Sequence, residues 1–438
     1  MDLIPILMFP ALFLLIFTGL PVAFSLIIVA VAAALMVFGD LAFLQLYGAI
    51  LSTSSNFILA AIPLFVFMGA VLERTGIALR LFQGLQLWVG AWPGGLAIAT
   101  VLMCATFAAA SGVVGAVEIV VGLMAIPAMQ KYKYNGGLIA GTICAGGSLG
   151  TIIPPSIVVV VYASIAQLSI GQLFAATMIP GLLMVVFFVL YIVFRALLKP
   201  SDAPRVISAE SNMPLAAKLM ITIKAMLPPL VLIFAVLGSL LAGAASPTEA
   251  AAVGAVGALV LAALFKELSY KTLTASLEVT IRVTAMIMLI VVGGTMFTSL
   301  FAVSGGGQLV RDMVVFFGFE QTGLIVFFLV IVFVAGFVLD WISIVLICIP
   351  IFTPFIKAAG IDPIWFAIMV MVVIQTSYLT PPMAPSIFYL RSIAPKSLTY
   401  KHMYWGVLPF VLMQLLVLLV VAMWPSTATY LPSIMVGL

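Results

Sequence analysis

Two proline pairs interrupt apolar stretches of this chain, and hydroxyl side chains crowd each of them. The first lies in Gly147-Ser148-Leu149-Gly150-Thr151-Ile152-Ile153-Pro154-Pro155-Ser156. The second lies in Thr376-Ser377-Tyr378-Leu379-Thr380-Pro381-Pro382-Met383-Ala384-Pro385-Ser386. A Pro-Pro step cannot continue a helix, because each proline lacks a backbone donor and clashes with the preceding turn. The carbonyls freed there, with the hydroxyls of Ser148, Thr151, Thr376, Ser377 and Thr380, offer the oxygen ligands that a hard cation requires. Gly147 and Gly150 let carbonyls turn inward. Past each break, Ser156 and Pro385-Ser386 open a second helical piece, whose free N–H groups and positive dipole end suit a carboxylate. The pattern predicts reversible binding of a cation and an anion. The plainer alternative is a pair of proline kinks with small residues for close helix packing.

Bond-making chemistry has little support. The single histidine, His402, sits beside Lys401 in a polar connection and reads as interfacial. There is no HExxH, no GxSxG, no clustered acid pair and no GxxxxGK[ST], which argues against a hydrolase, a transferase or a nucleotide motor. Cys104, Cys144 and Cys348 lie in apolar context without CxxC spacing, so neither disulfides nor a transition-metal site is expected. Two acids lie deep in apolar runs, where a carboxylate is costly. For Asp340 the expected role is cation coordination or hydrogen bonding that holds a tight turn, the alternative being a helix N-cap. Glu118 reads equally as a functional acid or as a partner for a neighbouring helix. Glu249 follows Pro247 in a first helical turn, where an acid suits the dipole.

These residues need a membrane scaffold. The 438 residues are 65% hydrophobic and only 7% charged, a composition that excludes a soluble domain of this length. With a mean hydropathy of +1.39, the chain is expected to be an all-α polytopic membrane protein. Ten crossings are predicted, at 4–20, 22–38, 57–73, 137–165 (broken), 173–195, 226–243, 248–264, 283–300, 363–390 (broken) and 404–424. Two apolar stretches, 95–130 and 322–358, are too long for one span and soften midway, at Ala110-Ser111-Gly112 and at Val338-Leu339-Asp340-Trp341. Both read as re-entrant hairpins. Segments 76–91 and 304–318 read as interfacial helices.

Matching landmarks recur at a nearly constant distance. Pro21 and Pro247 are 226 residues apart, Pro154 and Pro381 are 227 apart, and Gly112 and Asp340 are 228 apart. The chain therefore divides into a first span (1–21), a first repeat (22–195), a cytoplasmic linker (196–225), a connecting span (226–247), a second repeat of inverted topology (248–424) and a tail (425–438). If the hairpins do not cross, 15 of the 17 basic residues fall on one face, with only Arg311 and Lys357 on the other. The richer face is cytoplasmic and both termini lie outside. Cysteines introduced beside Arg205 and Lys396 are expected to be labelled only from the cytoplasm, and one beside Lys357 only from outside. Labelling of Arg205 and Lys357 positions from the same face would remove the hairpins and the inversion together.

The chain resembles the large membrane (permease) subunit of tripartite ATP-independent periplasmic (TRAP) transporters, the DctM-like family, along essentially its whole length. The resemblance rests on Trp92-Pro-Gly-Gly95, Ala110-Ser-Gly112, Gly147-Ser-Leu-Gly-Thr-Ile-Ile-Pro-Pro-Ser156, Tyr162-Ala-Ser-Ile165, Ser169-Ile-Gly-Gln-Leu-Phe174, Ser246-Pro-Thr-Glu-Ala-Ala-Ala252, Phe337-Val-Leu-Asp-Trp341 and Leu379-Thr-Pro-Pro382, in that order. Many members read Ser-Gly-Ser at the first tip, whereas Ser111-Gly112 is followed here by Val113-Val114. The resemblance implies an elevator-type, sodium-coupled importer in the bacterial inner membrane. Its substrate would be a small organic anion handed over by a periplasmic substrate-binding protein. Its partners would be that protein, a small membrane subunit and lipid, with no nucleic acid and no cofactor beyond the coupling sodium ions. The implied ion site comprises Ser111, Gly112, Gly147, Ser148, Gly150, Thr151, Asp340, Thr376, Ser377 and Thr380. The implied substrate site comprises Ser148, Thr151, Pro154, Pro155, Ser156, Pro381, Pro382 and Ser386. A stand-alone sodium–carboxylate symporter of related architecture is the alternative. An ion channel fits a single-chain inverted repeat less well.

Overall fold

The computed structural model describes residues 3–112, 114–206, 213–381 and 384–435. Among the described residues twenty α-helices follow one another: α1 Ile4–Phe17, α2 Val22–Phe38, α3 Ala42–Ser54, α4 Ala61–Glu73, α5 Ile77–Val89, α6 Gly95–Ser111, α7 Val114–Lys131, α8 Gly136–Ser148, α9 Ile157–Ala166 and α10 Ile170–Leu198. After the connection come α11 Leu215–Leu241, α12 Pro247–Leu264, α13 Tyr270–Val303, α14 Gly306–Phe317, α15 Gln321–Ala335, α16 Trp341–Ala358, α17 Pro363–Leu379, α18 Pro385–Ile393, α19 Tyr400–Met423 and α20 Ser426–Met435. Seven helical segments among the described residues are long and apolar enough to cross a membrane. An eighth candidate, residues 57–89, is bent by 64° between α4 and α5. The chain is an all-α polytopic membrane protein.

The element order recurs. The helices α2, α5, α6, α7, α8, α9 and α10 have counterparts α12, α14, α15, α16, α17, α18 and α19 that start 225 to 230 residues later. Contacts between the two sets are crosswise: α7 packs on α18, and its counterpart α16 packs on α9. The helices α6 and α7 also pack on each other. The turn between them is made possible by Gly112, whose φ of +64° an L side chain rarely adopts. The helix α16 leans instead chiefly on α13 and α9.

Several boundaries differ from the expectation. Residues 42–54 form α3, where no element was predicted. Its buried Ala42, Leu46, Ala49 and Thr53 follow helical spacing, while Phe43, Leu44 and Tyr47 are exposed. Such a stripe is legible in the sequence at helical spacing. The supposed tail holds α20, which packs on α10, and the linker shrinks because α11 begins at Leu215. The start of the remaining connection is tied down. Arg195 of α10 bonds Asp202 through Nε and Nη2, at 3.2 and 3.0 Å, and the Asp202 carbonyl accepts from Asn135 N–H at 2.9 Å. Asn135 itself caps α8. Residue 249 behaves as expected, since Ser246 and Glu249 form a reciprocal capping box on α12.

Where α8 crosses α19 the backbones nearly touch. A methyl group on Gly406 would overlap the carbonyl oxygen of Gly137, and one on Gly141 would overlap that of Gly406. Small residues allow this approach, and dispersion contacts over a close crossing hold helices together where lipid offers no hydrophobic drive.

Candidate functional site

The first break begins where α8 ends. Residues 149–151 tighten into one 3-10 turn before the prolines, and α9 restarts after Ser156. Each hydroxyl here donates to a backbone carbonyl: Ser148 to Ala145, Thr151 to Ser148 and Ser156 to Thr151, all at 2.8 Å. The second break does the same, with Thr376 donating to Val372 at 2.8 Å, Ser377 to Ile374 at 2.9 Å and Thr380 to Thr376 at 2.7 Å. A hydroxyl whose hydrogen is committed to a carbonyl presents only lone pairs outward. That is the arrangement a cation requires, and it also serves plain helix packing.

Ser148 is different, because its lone pairs are taken. Gln375 Nε2 donates to its Oγ at 3.1 Å, and Gln414 Nε2 at 3.2 Å. With the hydroxyl donating to Ala145, all of its hydrogen-bonding capacity is filled. Ser148 thus joins α8, α17 and α19 at one buried point. Ser148 and Gln375 are 227 residues apart, the same separation as the two proline pairs.

The turns between α6 and α7 and between α15 and α16 meet the breaks. A methyl on Gly112 would stand 3.1 Å from the carbonyl oxygen of Pro155, and one on Gly336 would overlap the Ser377 side chain. Asp340 is the N-cap of α16, with Oδ2 accepting from Ile342 N–H at 3.2 Å and Oδ1 accepting from the Ser343 hydroxyl. The capping alternative weighed for Asp340 is therefore realised in the geometry.

Beside these turns lies a cavity of about 790 Å³. Gly112, Gly115, Asp340, Ser377, Tyr378, Pro385 and Tyr389 line it, as do Pro21, Glu73, Arg74 and Val283. Arg74 is the one lysine or arginine among the lining residues; its Nη1 is held by the Ala70 carbonyl at 2.9 Å. Of the expected site residues, Gly112, Asp340 and Ser377 reach the cavity. Gly147, Ser148, Gly150, Thr151, Pro154, Pro155, Ser156 and Thr376 are buried behind it, and Thr380 and Pro381 are partly buried. Ser386 is buried as well, and its hydroxyl has no hydrogen-bond partner among the described residues. Pro382 and the Ser111 side chain lie outside the described residues.

Sequence reasoning missed Arg74, Tyr389 and Gln414 as parts of the site, and read Gln375 and Tyr378 only as part of the carbonyl-bearing run at the second break. The two glutamines carried the clearest signal, being amides in otherwise apolar helices, where a polar group needs a partner.

The family model for the tripartite ATP-independent periplasmic transporter, DctM component, matches residues 9–427. A C4-dicarboxylate TRAP transporter large permease protein of Pseudomonas aeruginosa is 33% identical over 386 residues, 87% of each chain. A sialic acid TRAP transporter large permease protein of Vibrio cholerae is 29% identical over 432 residues, 97% of each. Among solved structures, the YdaH transporter of Alcanivorax borkumensis shares the fold, with a TM-score of 0.63 at 16% identity over 89% of each chain.

Proposed function

The chain belongs to the DctM component of the tripartite ATP-independent periplasmic transporters, and from that premise we propose that it carries a small carboxylate-bearing anion inward with sodium. It is a multi-pass inner-membrane permease subunit of a secondary transporter for organic anions, not an enzyme. The finer reading rests chiefly on one observation. Two proline-broken helices, each lined with outward-facing hydroxyl oxygens, are joined at Ser148 and Gln375 beside a cavity that both hairpin tips reach. Sodium would bind at the breaks, drawing on Gly112, Gly147, Gly150, Thr151, Asp340, Thr376, Ser377 and Thr380. The anion would lie in the cavity, opposite Arg74 and near the start of α18. The two relatives described above carry substrates named as a C4-dicarboxylate and sialic acid, both carboxylates, which supports that class.

The crosswise packing of α7 on α18 and α16 on α9, and the meeting of residues 227 apart, support two repeats about a pseudo-twofold axis. On the expected topology, Pro21 and Glu73-Arg74 lie at cytoplasmic helix ends, so the cavity opens inward. Alternating access would then move the hairpins and broken helices as a body against α2, α4 and α13. A small membrane subunit would brace that scaffold, and a periplasmic binding protein would deliver the substrate.

The test is uptake by proteoliposomes containing the permease and its small subunit, with the binding protein supplied, against a panel of organic acids. Uptake is expected only with an inward sodium gradient; uptake that needs no binding protein would favour the stand-alone symporter. Thr151→Ala, Thr376→Ala and Thr380→Ala should each raise the half-saturating sodium concentration by roughly 5–10-fold, about one ligand's worth of interaction. Ser148→Ala acts through Gln375 and Gln414 and should raise it too. An unchanged sodium dependence in all four variants would leave these hydroxyls a packing role alone.

A further inference from the structure

Glu118 takes no part in the site described so far. Its side chain on α7 is fully buried, and neither carboxylate oxygen has a hydrogen-bond partner among the described residues. The Ser386 hydroxyl, in the first turn of α18, stands beside the carboxyl, and Tyr378 sits in the last turn of α17, beside the second break. Both of those hydroxyl oxygens are likewise buried without a partner among the described residues. On a third side the carboxyl lies against the α8 backbone: a methyl on Gly147 would overlap Glu118 Cγ and come within 2.9 Å of Oε1. The titratable groups around it are Cys104 on α6, Cys144 on α8, Tyr378 on α17 and Tyr389 on α18. None of them is basic, and no ion pair among the described residues includes Glu118. Orphaned hydroxyl oxygens on α17 and α18 therefore accompany one buried acid on α7 that has no protein counter-charge among the described residues, at a depth where an uncompensated carboxylate is costly.

We propose that Glu118 is the charged ligand of a buried monovalent-cation site, completed by the hydroxyls of Ser386 and Tyr378, with sodium as the ion. The ion's identity rests on the sodium-coupled reading; the site rests on the oxygens. Its occupation would tie α7, the returning arm of the first hairpin, to both pieces of the second broken helix, α17 and α18. The first hairpin would then dock or release according to the ion rather than to its own tip.

The test is the thermal unfolding midpoint of the purified protein, with sodium chloride replacing choline chloride at constant ionic strength. The midpoint should rise saturably with sodium. In Glu118→Gln the half-saturating concentration should increase at least about tenfold, equivalent to about 1.4 kcal/mol of lost binding. Ser386→Ala should move it the same way by less. A wild-type sodium response in Glu118→Gln would overturn the site, as would a midpoint that follows pH in choline and ignores sodium. Should Glu118→Gln fail to fold, an unchanged response in Ser386→Ala would overturn it instead. Sodium-driven uptake separates the two readings. Stabilisation that needs Glu118 in a protein whose uptake ignores sodium would sustain the site and remove the coupling. Sodium-driven uptake with wild-type half-saturation in Glu118→Gln would do the reverse.

Discussion

Gly406→Ala is expected to cost the protein most of its stability margin. The added methyl would overlap the Gly137 carbonyl oxygen, a backbone atom that cannot rotate away. Helices α8 and α19 must then separate, losing the close crossing that positions Ser148 under Gln414. Overpacking a tight site typically costs about 1–3 kcal/mol, and a backbone clash belongs at the upper end of that range. Gly141→Ala meets the Gly406 carbonyl in the same way and should behave alike. The control is Gly238→Ala on α11, where nothing lies within 4 Å of the added carbon. There the exchange should be neutral or gain up to about 1 kcal/mol from helix propensity. Melting curves in detergent, with the folded fraction read from size-exclusion profiles, check all three. A Gly406→Ala protein as stable as the Gly238→Ala control would show that the crossing is not load-sensitive.

Asp340→Asn should insert and fold while losing transport by at least tenfold. The carboxylate caps α16 through two acceptors, Oδ2 for Ile342 N–H and Oδ1 for the Ser343 hydroxyl. Asparagine caps about as well as aspartate, so the helix start should lose no more than about 1 kcal/mol. What disappears is the negative charge at the cavity wall, near the second break. If that charge helps to hold a sodium ion, its loss falls on transport and not on folding. The measurement is sodium-driven uptake at equal protein in the membrane. Near-normal uptake would confine Asp340 to capping.

The contrast between these two predictions follows what the sequence could express. Proline pairs, the Gly112 turn and the Ser246–Glu249 capping box are local devices, and each was readable because its cause lies within a few residues. The continuity of α13 over 34 residues was harder to read. Its counterpart region is divided into α3 and α4, and only packing decides which half of the chain keeps one helix. The site divided along the same line. Hydroxyls beside the breaks were visible from spacing. The linkage of Ser148 to Gln375 and Gln414 spans 227 and 266 residues and leaves no mark on either neighbourhood beyond an amide in apolar company. Arg74 looked like a surface residue at a helix end. It borders the cavity because that cavity reaches the ends of α2 and α4.

The hydrogen bond between Ser148 and Gln375 has a bearing on ancestry. On the two-repeat reading proposed above, Ser148 and Gln375 are equivalent positions, so each stands opposite its own twin. The twins are unlike: a short hydroxyl accepts and a long amide donates. On that reading the seam between the halves is a place where the two copies differ, and exchanging the pair, Ser148→Gln with Gln375→Ser, asks whether either half can supply the short acceptor.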